Sequence, residues 1–262
     1  MAFTFGGVFS RFFKLIGENF ALFAVLGLLL TVLPAVAANY GLIATLGVTQ
    51  ATWAAKAYQF SADNWAIGGG ISLLLWALSL FNLAMITEIA ILRAVDKQID
   101  MRAVIMHSLG NILPIFIVSL ITTVLGALLM ILLIVPGLMF FIAASVSVPA
   151  YVGEKGVGLW GAVKRSFELT RGHRWLIFFL FFVGGIAISI ISGATTRATM
   201  GPMFLAAQSG QTPTFDMTFI IVQSVVSGIT ALLTQIFVAA IYVCLRQSKE
   251  KTMPETAAAV FE

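Results

Sequence analysis

The chain has 262 residues, of which 60% are apolar and only 10% charged, and its mean hydropathy is +1.03. Globular domains carry about 25% charged residues, so the composition excludes a soluble globular protein and predicts an all-α membrane protein. The net charge of +4 fits basic membrane loops and calls for no nucleic-acid partner. One cysteine, Cys244, excludes an internal disulfide, and two histidines argue against a histidine-built metal site.

The first predicted element is an amphipathic helix over residues 5–18, followed by a spanning helix at about 20–38. Its apolar side chains recur with the spacing of one helical face. They are Phe5, Val8, Phe9, Phe12, Phe13 and Ile16. A signal peptide is the alternative, because basic residues, an apolar stretch and the small residues at 35–37 occur in that order. Signal peptides need no amphipathic stripe, so we expect this span to be retained.

The other spans follow from apolar stretches long enough to cross the hydrocarbon, which takes roughly 20 residues. They are predicted at about 66–92, 112–135, 138–152, 175–193 and 217–245. Together they give six transmembrane helices in a single membrane domain, residues 1–245, with a short tail at 246–262. Pro136 and Gly137 separate the third span from the fourth, because this pair interrupts a helix. The fourth span is short and contains Pro149, which leaves open whether it crosses completely.

Two further amphipathic helices are predicted, at 100–110 before the third span and at 157–171 before the fifth. In each, apolar residues share one helical face and a break precedes the span. We interpret the three copies as degenerate repeats, each an interfacial helix followed by a hairpin of two spans.

The distribution of basic residues predicts the orientation. If the N-terminus is cytoplasmic, only Lys56 and Arg197 of the 15 Lys and Arg residues fall on outside segments. The positive-inside rule therefore places both termini in the cytoplasm.

The segment GLWGAVKRSFELTRGHRW, residues 158–175, concentrates basic side chains at Lys164, Arg165, Arg171 and Arg174. Three interpretations remain open: a solvated collar, a binding site for anionic lipid headgroups or phosphate, and a docking surface for a partner protein. Guanidinium groups bind phosphate through two parallel hydrogen bonds, which makes these four residues the candidate headgroup site.

Residues 148–175, together with features near the end of the chain, resemble the bacterial glycerophosphoryl diester phosphodiesterase membrane domain family. The matching residues are Pro136, Gly137, Val148, Pro149, Glu154, Ala162, Arg165, Ser166, Leu169, Thr170, Arg171, Gly172, Trp175, Tyr242, Leu245 and Arg246. The resemblance implies a six-helix inner-membrane protein. In some relatives this membrane unit is fused to a catalytic phosphodiesterase domain.

No catalytic activity is expected of this chain. Phosphodiester hydrolysis of that kind needs acidic and histidine residues around a metal, whereas His107 and His173 both fall on predicted interfacial helices and are expected to be solvated. We therefore expect no catalytic residues, no metal and no cofactor.

Polar residues inside the spans are the remaining candidates, because burial of such groups in a bilayer is costly. Glu88 is expected to pair with a basic residue near the cytoplasmic edge, about one turn from Arg93, and Asn82 is expected in a polar core. In the sixth helix four polar residues share one face, which is predicted to point inward for helix packing or a hydrated path. They are Gln223, Ser227, Thr230 and Thr234.

These features predict a non-catalytic accessory or lipid-handling protein of the cell envelope. Its expected partners are anionic membrane lipids and a membrane protein or envelope enzyme. The alternative is a transporter or permease for a small molecule or lipid, using the polar face of the sixth helix.

Overall fold

The computed structural model describes residues 3–46, 65–94, 96–154, 156–210 and 217–250, and all regular structure in these ranges is helical. The helices are α1 (Phe5–Gly27), a π-helical turn (Leu28–Val32), α2 (Leu33–Leu46), α3 (Trp65–Ala94), α4 (Met101–Gly110), α5 (Ile112–Leu132), α6 (Ile134–Ala144), α7 (Ser147–Gly153), α8 (Leu159–Thr170), α9 (Arg174–Gln208) and α10 (Met217–Glu250).

Within the described ranges, six helical stretches are long and apolar enough to cross a membrane, which confirms the predicted class and number. They are Phe5–Ala38, Gly69–Ala94, Ile112–Leu132, Ile134–Gly153, Arg174–Gly201 and Ile221–Glu250.

Three helices extend beyond the predicted spans: they continue to Leu46, Gln208 and Glu250, whereas the spans are predicted to end near residues 38, 193 and 245. The hydropathy of the sequence falls at these points, but the backbone hydrogen bonds of the helices continue past them. In α9 the Thr195 and Thr199 hydroxyls each donate to a carbonyl four residues earlier, at 2.9 and 2.8 Å, so polar side chains are accommodated without ending the helix. The predicted outside residues Lys56 and 47–64, and the tail from 251, lie outside the described residues.

The boundary between the third and fourth spans lies at Leu133, not at Pro136 and Gly137. Leu133 is extended, with φ −153° and ψ 113°. Pro136 falls in the first turn of α6, where its missing N–H costs nothing. Gly137 faces the backbone of Met130, and a Cβ there would lie 2.5 Å from the Met130 nitrogen. The glycine is thus required for the close approach of α5 and α6.

The fourth span is broken at Ser145 and Val146, between α6 and α7. Pro149 is in the first turn of α7, where a proline is tolerated. The break frees buried backbone groups that the Ser166 hydroxyl satisfies: it donates to the Ala143 carbonyl at 2.6 Å and accepts from the Val146 N–H at 3.3 Å. A side chain of α8 thus satisfies the backbone groups that the break between α6 and α7 leaves free.

The first span is also interrupted. α1 is kinked at Asn19, with φ −129° and ψ 24°, directly after the predicted amphipathic segment. The π-helical turn then precedes Pro34, whose ring cannot fit a regular helix interior, and a π-turn relieves the clash with the preceding turn.

The chain forms two compact units. The first contains Met1–Phe23, Leu80–Gly184 and Leu233–Glu262, and its core includes the buried second half of α3 and the buried end of α10. The second contains Ala24–Ser79 and Gly185–Leu232. In the second unit Gly228 of α10 packs so closely on Val32 that an added Cβ would overlap the valine side chain.

The three short segments predicted to be amphipathic are all helical and all end at a break. Each has one face packed on protein, as at Val8, Val104 and Ala162, and also carries exposed apolar residues, as at Phe13 and Leu109. Whether these helices lie in the membrane plane stays a prediction.

Candidate functional site at the basic helix

α8 is held in place by its small and apolar residues. Ala162, Ser166 and Leu169 are fully buried, whereas Trp160 is 66% exposed and Lys164 is exposed. The predicted apolar stripe is therefore divided: Val163 packs inside the protein while Trp160 faces out. The basic residues of this helix therefore lie on a helix whose other face is buried in the protein.

Arg165 is surrounded by carboxylates. Its Nε donates to both oxygens of Glu154, at 2.8 and 2.9 Å, and one terminal nitrogen lies 3.8 Å from Glu168. The other terminal nitrogen pairs with Glu250 at the end of α10. The Arg165 side chain is 24% exposed, so this arginine links α8 to the chain before it and to α10.

A second arginine extends this network. Arg246 donates from Nε to Glu250 at 2.9 Å, and from Nη1 to the Gly153 carbonyl at 2.7 Å and the Tyr242 hydroxyl at 3.2 Å. Gly153 has no room for a side chain beside Tyr242. This charge network contains two arginines and two glutamates, which are Glu154, Arg165, Arg246 and Glu250. It links α7, α8 and α10.

The other candidate cations are less engaged. Arg174 stacks over the Phe167 ring, with its guanidinium carbon 5.5 Å from the centroid, and its buried Nε has no hydrogen-bond partner among the described residues. Arg171 and Lys164 are exposed. The backbone carbonyl of Arg171 accepts a 2.8 Å hydrogen bond from Lys249. Arg171 and Arg174 thus flank the turn between α8 and α9, whereas Arg165 is committed to carboxylates.

His173, in the same turn, is not simply solvated as predicted. Its ring lies 5.1 Å from that of the buried Phe3. Burial lowers the pKa of His173 below its ordinary value, and the Lys249 ammonium lowers it further.

Glu88 pairs with a histidine, and its neighbour along the helix, Arg93, is engaged elsewhere. Its carboxylate is 1% exposed and lies 3.1 Å from Nδ1 of His107, while Arg93 donates to Asn19 at 2.9 Å. The Asn111 amide nitrogen donates to the His107 carbonyl at 2.8 Å and lies 3.2 Å from Nε2. Nε2 is then the acceptor, so Nδ1 carries the hydrogen and donates to Glu88. His107 is thus not simply solvated as predicted: its side chain is 30% exposed and pairs with a buried carboxylate.

Asn82 is buried as expected, and its amide donates to Gln235 of α10 at 2.9 Å. The predicted inward face of the sixth helix is only partly correct. Ser227 is exposed and bonds to the Ser224 carbonyl of its own helix, and Thr230 does likewise with Val226.

The remaining members of that predicted face are half-buried. Gln223 and Thr234 both fall in this class. Among the described residues of this helix, the buried polar and charged side chains are Ser224, Gln235 and Arg246.

The sequence does not mark Glu250 or Asn19 as functional residues. Glu154 and Arg246 were marked only by the family resemblance. Among the residues that the structure describes, no group of three or more His, Cys, Asp or Glu side chains could hold a metal ion.

These observations define an all-helical protein whose six apolar helices fit a multi-pass membrane protein, with a charge network and a basic turn in the first unit. No protein-family model, curated protein or solved structure matches the chain.

Proposed function

We propose that this chain is a non-catalytic accessory or lipid-handling protein of the bacterial inner membrane, with both termini cytoplasmic. In this proposal the turn between α8 and α9 binds the phosphate of anionic lipid headgroups through Arg171 and Arg174, with Lys164 adding charge. The observation that carries it is the buried Arg174 Nε, which has no hydrogen-bond partner among the described residues.

Two further features support the site. Trp160 and Trp175 are 66% and 65% exposed on either side of the basic residues, and aromatic residues of this kind favour the headgroup region. The Glu154 and Glu250 carboxylates neutralise Arg165 and Arg246, so the remaining cations are available to an anion. Arg165 then acts as a positioning residue for α8.

Replacing Arg171 and Arg174 together by lysine tests this function, because lysine keeps the charge but loses the planar fork. We expect less phosphatidylglycerol retained by the double variant than by the parent in native mass spectrometry. The control is Arg102→Lys, an exposed arginine on α4. Equal lipid retention by parent and double variant would show that the charges act only as a collar.

A transporter is the second candidate, supported by polar pairs buried in the helices. Asn82 pairs with Gln235, and Glu88 with His107, and such groups mark substrate or proton paths in many membrane proteins. Flux of protons or of fluorescent lipid across proteoliposomes, present in the parent and absent in protein-free vesicles, would favour transport over an accessory role.

The orientation has its own test. A cysteine at position 249 in a Cys244→Ser background should react with an impermeant thiol reagent only after the cells are opened, and one at position 56 should react in cells with a permeable outer membrane. The opposite pattern would reverse the proposed topology.

A further inference from the structure

A cavity of about 250 Å³ lies between the first half of α1 and the end of α10, both parts of the first unit. Its polar lining comes from two helices that are distant in sequence. The polar side chains are Thr4, Ser10, Arg11, Lys14, Cys244 and Gln247. Phe3 is buried against His173, which fixes the chain just before this cavity.

The cavity is electropositive. Arg11 and Lys14 are three residues apart and therefore share one face of α1. Among the described residues Arg11 contacts the neutral amide of Gln247 at 3.5 Å and no carboxylate. Lys14 lies 3.6 Å from Glu18 in an exposed pair, which contributes little in water.

We propose that this cavity binds a phosphate group, with Arg11 as the principal ligand and Lys14 as a second cation. The Arg11 guanidinium has donors left for a bidentate contact, and the Ser10 and Thr4 hydroxyls line the same space. The volume is below the roughly 300–1,000 Å³ of sites for drug-sized ligands, which suits a phosphate or a single headgroup and not a whole lipid. The site is on other helices than the Arg171 and Arg174 turn and does not depend on it.

Cys244 provides a probe, since it lines the cavity and is the only cysteine of the chain. Its modification by an anionic and a cationic methanethiosulfonate is measured on the full chain in detergent, and each rate is divided by the rate with a free thiol. We expect the anionic reagent to be favoured at least about tenfold, as electrostatic focusing predicts. Arg11→Gln should abolish this preference and Arg102→Gln should retain it. Equal rates in the parent would overturn the proposal.

Protection of Cys244 from the thiol reagent distinguishes a soluble phosphate from a lipid headgroup as the ligand. If added inorganic phosphate slows the modification of Cys244 by the anionic reagent, the site is open to soluble phosphates. Protection in nanodiscs containing phosphatidylglycerol, but not in pure phosphatidylcholine and not by inorganic phosphate, indicates a lipid headgroup. Protection by neither refutes the site.

If Cys244 proves inert to both reagents, native mass spectrometry tests phosphate binding at the cavity instead. Arg11→Gln should then retain less phosphatidylglycerol or inorganic phosphate than the parent and Arg102→Gln, and equal retention refutes the proposal. Because Arg171 and Arg174 are intact in Arg11→Gln, failure here is distinct from failure of the proposed headgroup site.

Discussion

Ser166→Ala should destabilise the protein far more than the loss of one hydroxyl suggests. Ala143 and Val146 are both fully buried at the break between α6 and α7, and the serine hydroxyl serves the carbonyl of one and the N–H of the other. An alanine leaves these backbone groups without that partner in a place water does not reach.

The size of the effect follows from these contacts. A buried polar group left unsatisfied costs about 1–3 kcal/mol. The Ala143 carbonyl keeps a long contact of 3.4 Å from the Thr170 hydroxyl, so its loss is partial, whereas the Val146 N–H loses its hydrogen bond outright. We expect the free energy of unfolding to fall by about 2–3 kcal/mol.

The matched control is Ser145→Ala, one residue before Val146. The Ser145 hydroxyl donates to the Ile142 carbonyl, which also accepts the Ser145 N–H at 3.4 Å, so its removal orphans no backbone group and should cost less than about 1 kcal/mol. Reversible unfolding in mixed micelles by added dodecyl sulfate gives both values. A Ser166→Ala loss no larger than that of Ser145→Ala would refute the reasoning.

The sequence predicts the number and the places of the apolar helices, but several helices extend beyond the predicted spans, for a physical reason. Apolar length determines which stretches can cross a membrane, and six were found in the expected places. Helix ends depend on backbone hydrogen bonds, which continue past Arg197 in α9 regardless of hydropathy. Pro136 indicates a helix break in the sequence, yet a proline in the first turn of a helix costs nothing.

In the candidate site, too, the sequence predicts part of the arrangement and tertiary packing determines the rest. The sequence marks Arg165 as part of a basic cluster and Glu88 as a carboxylate inside a predicted span. Their partners Glu250 and His107 come from other helices, and tertiary packing alone brings them together. In α10 the spacing of polar residues defined a face correctly, but it could not say which face is buried. Ser224 is buried and Ser227 exposed, although they are less than one turn apart.

Three further predictions concern single positions. Gly137→Ala should disrupt the α5–α6 hairpin, because its Cβ would lie 2.5 Å from facing backbone, whereas Gly185→Ala has nothing within 4 Å and should not; the yield of monodisperse protein on size-exclusion chromatography distinguishes them. His173 should titrate below an unstructured histidine by NMR, and Lys249→Gln should raise its pKa, because a repelling charge is removed. Since the folded pKa is the lower one, stability is complete above the unfolded pKa and falls as pH drops through it; an unmoved midpoint in Lys249→Gln would contradict this. Glu88→Gln should leave thermal stability in detergent nearly unchanged, because the amide oxygen still accepts the imidazole hydrogen 3.1 Å away, whereas Glu88→Ala loses both the hydrogen bond and buried volume and should cost about 2–4 kcal/mol. If Glu88→Gln is as stable as the parent but abolishes a proton flux that the parent shows in proteoliposomes, the buried carboxylate carries protons, and the accessory role gives way to transport.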